Sequence, residues 1–220
     1  IAAVVIALIA GIVTTTWQAR IARAGRARAE QRFNDLRKLA RTVIFDMHDA
    51  IAKLPGSTEA RKLLVTGALD YLDGIAREAG DDRELQRELA NAYERVADVQ
   101  GRPNAANIGD LQGARQSYEK AQRIRNTLGG DATADGSLRR EIARTSRKLT
   151  SVLWFAGDHD AAVAEGERAV RLDQAELAAS PSDEQRVNLA MSYDHLAYSL
   201  GAKGKSTASL EHLHKAEAIL

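Results

Sequence analysis

Three regimes of hydrophobic patterning follow one another along the chain. The first, Ile1 to Ala19, carries no charge and is apolar on every side as far as Val13. Such a run predicts a helix of about 28 Å, close to the ~30 Å of a bilayer core. Trp17 stands at the interfacial position, and Arg20, Arg23, Arg26 and Arg28 follow it. Residues 1–19 therefore read as a transmembrane helix truncated at its start, because no basic region precedes the apolar stretch as a signal peptide would require. The second regime has an apolar residue every three or four positions: Phe33, Leu36, Ala40, Val43, Met47, Ala50 and Leu54. That spacing is one face of a helix. Leu54-Pro55-Gly56-Ser57 ends it, Ser57 or Thr58 can cap the next, and Leu64, Ala68, Tyr71 or Leu72, Ile75 and Ala79 form a second face. Residues 20–80 are read as a basic juxtamembrane segment and helical hairpin. The rival pairing is a homodimeric coiled coil through the 33–54 helix.

The third regime repeats. Tyr93, Val96 and Ala97 precede Gly109, Ala114, Tyr118 and Ala121. Ser146, Leu149, Thr150 and Leu153 precede Gly157, Ala162, Gly166 and Ala169. Tyr193, Leu196, Ala197 and Leu200 precede Gly204, Ser209, Leu213 and Ala216. The three glycines are spaced by 48 and 47 residues. A large residue followed by smaller ones at helical spacing is the inner face of a helix. A glycine after it permits a turn through the left-handed region, and a small residue beyond lets the second helix approach closely. Isolated pairs of this kind leave apolar surface open, and stacking on the next pair covers it. Three pairs are expected, at about 83–128, 137–178 and 184–220. In the first, about five additional residues within Arg102–Asn107 lengthen the turn. Ser146 and Gly166 stand where large residues are usual, so the middle pair is expected to be looser.

Those residues resemble the tetratricopeptide repeat, with Tyr93, Ala97, Leu149, Tyr193, Leu196 and Ala197 in first helices. Ala114, Tyr118, Ala121, Ala162, Ala169, Leu213 and Ala216 fall in second helices, after Gly109, Gly157 and Gly204. The resemblance implies a right-handed superhelix with a concave groove. On the same reading the strings FDMHDAIAKLPGSTEARKLLVTGALDYLDGIAREAGDD, LQRELANAYERVADVQGRPNAANIGD and GARQSYEKAQRIR are similar to the region after the membrane helix of bacterial receptor-type serine/threonine protein kinases. That implies a parent protein with its kinase domain upstream, this chain being the non-catalytic half. The expected architecture is all-α: a transmembrane helix, a helical linker, then a tetratricopeptide-type α-solenoid.

Composition agrees with an all-helical chain, being 45% hydrophobic with 5% aromatic residues and 3 prolines. The net charge of +1 conceals an asymmetry. Residues 1–53 hold nine Lys/Arg against four Asp/Glu, leaving twenty-two against twenty-six in the remainder. The basic excess thus lies beside the apolar segment, where anionic headgroups attract it, and no nucleic-acid field covers the repeats. Two arguments about sidedness collide. The arginine-rich flank favours cytoplasmic repeats, whereas the kinase layout places them outside the membrane; the layout is slightly favoured.

No glycine-rich phosphate loop, H-R-D or D-F-G is present, so ATP and Mg are expected only in the upstream kinase domain. Cysteine is absent, and His212 and His214, two apart, point to different helix faces. Neither a catalytic site nor a metal site is expected. If the array works as its relatives do, a protein or peptide ligand lies along the first helices. The candidate contacts are Asn91, Glu94, Asp98, Arg144, Arg147, Ser151, Asp194 and Tyr198. Trp154-Phe155, near a turn, is expected to pack into the core. A constitutive membrane-tethered scaffold without a kinase is the alternative.

Overall fold

The structure is a computed structural model, and it describes residues 58–129 and 135–220. Among these residues there are seven helices and no strand: α1 (Thr58–Glu78), α2 (Arg83–Gly101), α3 (Leu111–Leu128), α4 (Gly136–Phe155), α5 (His159–Ala179), α6 (Asp183–Ala202) and α7 (Ser206–Ile219). The apolar segment 1–19, the basic stretch after it and the 33–54 seam lie outside the described residues. Within the described residues no helix is long and apolar enough to cross a membrane.

Most helix starts are fixed by a side-chain oxygen. Asp82, Asp110, Asp135, Asp158 and Ser182 each accept a backbone N–H from the first turn of the helix that follows. These bonds satisfy donors that a helix leaves open, at about 1 kcal/mol each. The helices then pair as α2 with α3, α4 with α5 and α6 with α7, while α3 also packs on α4 and α5 on α6. This arrangement is consistent with an α-solenoid, with α1 packed on α2 and the Tyr93 hydroxyl of α2 donating to Asp73 of α1 at 2.5 Å. The apolar clusters cross the pair boundaries. Ala97, Ala114 and Tyr118 pack with Leu149, Val152, Leu153 and Ala162; Val163 and Val170 of α5 pack with Leu189, Tyr193 and Leu196 of α6. No pair owns a complete core, so each depends on its neighbours.

Gly109, Gly157 and Gly204 have φ of 80°, 80° and 73°. A side chain at any of them would be strained in this left-handed region. In the two shorter turns, Asp158 N–H bonds Leu153 O and Lys205 N–H bonds Leu200 O, each reaching back five residues. The matching bond in the first pair runs from Asp110 N–H to Gln100 O, reaching back ten. The first turn is thus the same turn with five residues added, and it is held from within. Asn107 Nδ2 donates to Arg102 O and Ala105 O, Gly109 N–H donates to Asn107 Oδ1, and Arg61 donates to Asn107 O.

The middle pair is not looser. A Cβ on Gly166 would meet the Cα of Leu196 at 3.2 Å, so the missing side chain brings α5 and α6 together backbone to side chain. Ser146 is fully buried and its hydroxyl accepts from Gln122 at 3.0 Å. The repeat-defining residues Tyr93, Ala97, Ala114, Tyr118, Ala121, Leu149, Ala162, Ala169, Tyr193, Leu196, Ala197 and Ala216 are buried. Leu213, equivalent to Tyr118 but near the end of α7, is half-buried.

Candidate functional site

The first helices α2, α4 and α6 stand side by side, so their facing residues can be compared position by position. Residue 94 corresponds to 147 and 194, residue 98 to 151 and 198, and residue 95 to 148 and 195, given the five added residues. The two junctions between first helices are built oppositely.

Between α2 and α4 the space is bridged by charge. Arg125, from α3, is completely buried and lies 2.8 Å from the Glu94 carboxylate. Arg144 and Lys148 of α4 reach the same carboxylate at 2.9 and 2.8 Å, and Thr145 Oγ1 donates to it at 2.9 Å. Lys148 also pairs with Asp98 at 2.8 Å, and Asp98 accepts from the Tyr118 hydroxyl. Burial works to raise the Glu94 carboxyl. The Arg144 hydrogen bond and the charges of Lys148 and Arg125 outweigh it and hold the group well below the usual carboxylate range. Burial and the Asp98 charge both push the Tyr118 phenol up, so it stays a donor.

Between α4 and α6 the same positions carry reversed or neutral groups. Arg147 stands where Glu94 stood and pairs with buried Asp173 of α5, the counterpart of Arg125. Ser192, the counterpart of Thr145, donates to Asp173 at 2.5 Å, and Arg147 donates to Asn188 at 3.0 Å. A cation at 147 would repel cations opposite it. Met191 and His195 replace Arg144 and Lys148, while Ser151 and Gly166 replace Asp98 and Tyr118. Burial and the adjacent Arg147 charge both lower the His195 pKa, so the imidazole is held neutral.

With no salt bridges to fill it, the space between α4 and α6 is a groove of about 730 Å³, within the range of ligand sites. Its apolar lining is Trp154, Phe155, Met191 and Tyr198. Phe155, Met191 and Tyr198 are 52%, 46% and 58% exposed, an unusual concentration of large apolar surface in one place. Trp154 and Phe155 meet edge to face, ring centres 4.8 Å apart. One end is walled by Arg102, Pro103 and Asn104 of the lengthened turn. Two lining atoms, Trp154 Nε1 and His195 Nδ1, are shielded from solvent and have no hydrogen-bond partner.

The residues expected from the sequence divide at this point. Arg144, Arg147, Ser151, Asp194 and Tyr198 all line the groove. Asn91, Glu94 and Asp98 do not, and they are corrected here. Asn91 Oδ1 accepts from Arg125, Glu94 neutralises that buried cation, and Asp98 holds Tyr118 and Lys148. Their polar atoms are committed to the α2–α3–α4 junction. Arg147 borders the groove but is itself buried and committed to Asp173. The expectation that Trp154-Phe155 packs into the core is likewise corrected. Phe155 is exposed, and Trp154 has one face on the α2–α5 core cluster and another on the groove. The signal was present, since 147, 151, 154 and 155 share one helical stripe. Among the described residues no cluster of three His, Asp or Glu could hold a metal ion.

A scan against protein-family models gives no match, and no curated protein matches the chain significantly. The reading of this surface therefore rests on its geometry and on the repeat pattern.

Proposed function

We propose that the chain is the non-catalytic interaction and sensor module of a membrane-anchored bacterial serine/threonine protein kinase, and that it takes a peptide or protein segment into the groove between α4 and α6. The observation that carries the binding half of this reading is the unbridged junction. Three large apolar side chains stay in solvent there, while the neighbouring junction of the same design is closed by salt bridges. Exposed aromatic and Met surface in a groove between helices is the usual means of holding a peptide side chain. The tetratricopeptide-like repeat supports the binding class, and the resemblance of residues 45–125 to the post-membrane region of receptor kinases supports the parent protein. Phosphoryl transfer would then lie upstream of Ile1, and the 1–19 segment would tether the module.

The test is panning of a random dodecapeptide phage library on the full 220-residue chain, repeated with Met191→Glu. Peptides should be selected that bind the parent chain at micromolar affinity and the variant at least ~10-fold more weakly, a loss of about 1.4 kcal/mol. Recovery only of peptides indifferent to Met191→Glu would remove the groove from consideration.

A further inference from the structure

The groove has a chemical polarity that the apolar lining alone does not convey. Among the described residues, Arg102 and Asp194 are the two charged groups of the lining that form no ion pair or side-chain hydrogen bond. Arg144 and Lys148, which border the same space, are tied to Glu94 and Asp98, and Arg147 is tied to Asp173. The lining as a whole holds four cations, Arg102, Arg144, Arg147 and Lys148, against one anion, Asp194. The wall at the lengthened turn is therefore positive and the α6 wall opposite carries a single unpaired carboxylate.

Resting on the reading of this groove as a peptide site, we infer that its ligand is an acidic peptide segment bearing a large apolar side chain. The five-residue insertion in the α2–α3 turn, through Arg102, sets that preference. The apolar side chain seats among Phe155, Met191 and Tyr198. An acidic residue beside it meets Arg102 and the outer edges of Arg144 and Lys148, and Asp194 accepts from the segment's N–H or amino groups. The insertion suits this task because it is rigid before any ligand arrives. Asn104 occupies the left-handed region at φ 60°, and Asn107 ties both ends of the loop through three hydrogen bonds. Arg61 of α1 anchors it from behind at 2.8 Å. A pre-formed wall loses little freedom on binding, which is where affinity is otherwise forfeited. Charge at such a rim changes selectivity and association rate more than it changes fold.

Deleting residues 102–106 gives the first turn the length of the other two, which close on the same glycine geometry without those residues, so the shortened chain should fold. The probes are four fluorescein-labelled dodecapeptides with a central Phe-Leu pair, or Ser-Ser in its place, flanked by either Asp/Glu or Lys/Arg. Anisotropy is read on the parent chain, Arg102→Glu, the loop deletion and Met191→Glu. The acidic Phe-Leu peptide should bind best, and weaken about 5- to 20-fold with Arg102→Glu and with the deletion. Raising salt should erase most of that difference. If the basic Phe-Leu peptide binds better, or Arg102→Glu leaves the order unchanged, the ligand class is overturned while the groove survives, provided Met191→Glu still weakens binding. If no peptide responds to Met191→Glu, the groove reading itself fails.

Discussion

Glu94→Gln exchanges one carboxylate oxygen for an amide NH2 at nearly constant shape, and so removes the negative charge at the centre of a buried cluster. Glu94 is 4% exposed and faces Arg125, which is completely buried. With the carboxylate gone, Arg125 keeps only Glu141 as a counter-ion, at 3.5 Å, together with Asn91 and Thr145. Breaking a buried ion pair from one side costs about 3–5 kcal/mol. The remaining Glu141 contact puts the value near the low end, ~3 kcal/mol, and Arg144 and Lys148 lose a partner as well. For a unit of this size that corresponds to a melting point lower by about 6–12 °C. Arg125→Met should be milder, at about 1–2 kcal/mol, because Glu94 then still holds Arg144 and Lys148. The double variant Glu94→Gln/Arg125→Met should resemble Arg125→Met alone, since neither buried charge is left unpaired. Urea titrations followed by far-UV circular dichroism measure all three. Additive losses, or a Glu94→Gln effect below about 1 kcal/mol, would show that the cluster is not coupled and that the account of the α2–α4 junction is wrong.

The same carboxyl gives a pH dependence with a definite sign. Its folded pKa lies below the ordinary value of 4.5, so its contribution is complete above about pH 5 and is lost as pH falls further; Glu94→Gln should flatten that acid limb in melting curves. His195 is also depressed relative to 6.5, so folding favours its neutral form; the stability it adds is present above that pH and lost as pH falls below it, and His195→Asn should remove that component. Gly67 in α1 has open space where a Cβ would stand, so Gly67→Ala should stabilise by about 0.5–1 kcal/mol. Gly166→Ala, identical in chemistry, should destabilise by about 1 kcal/mol or more because the new methyl meets Leu196; calorimetric melting separates the two. Ser151→Asp/His195→Lys copies the Asp98–Lys148 bridge into the α4–α6 junction. It should reduce binding of groove-selected peptides at least ~10-fold, with some loss of melting point because a cation at position 195 stands beside Arg147; unchanged peptide binding by the folded variant would contradict the bridging argument.

Local requirements were legible in the sequence, and pairings across the fold were not. Gly109, Gly157 and Gly204 announce themselves because a left-handed residue has few substitutes, and Ala114 and Ala162 because close helices exclude larger side chains. The five-residue lengthening of the first turn was likewise readable, since it displaced a spacing that the other two turns share. Glu94 was misread because an acid on a first helix looks like part of a solvated face. Its partner Arg125 lies 31 residues away on α3, and no periodicity connects them. The clue lay in alignment of the blocks: Glu94 and Arg125 become Arg147 and Asp173 at equivalent positions, a reversal that unpaired surface charges have no reason to make. Phe155 was misassigned for a related reason. Its hydrophobicity argued for the core, while its place on the stripe of Arg147 and Ser151 argued for the groove, and the stripe was the better guide.

The reversal also accounts for where the groove is. A first-helix anion at 94 draws cations from the next first helix, and Arg144 and Lys148 close over it. A first-helix cation at 147 makes cations at the next helix unfavourable, so 191 and 195 carry a thioether and a neutral imidazole. Nothing then spans the space, and the aromatic residues at the end of α4 stay uncovered. In the third pair the same position is Asp194, and the position equivalent to Arg125 and Asp173 is Leu220, which carries no charge. Asp194 is thus an anion placed like Glu94 with no cation brought to it from α7. It remains in the groove wall as an acceptor for whatever enters, and Asp194→Asn should weaken peptide binding without the loss of stability expected for Glu94→Gln. Equal losses of stability from the two substitutions would mean that Asp194 has an internal partner after all, and that the wall of the groove is neutral.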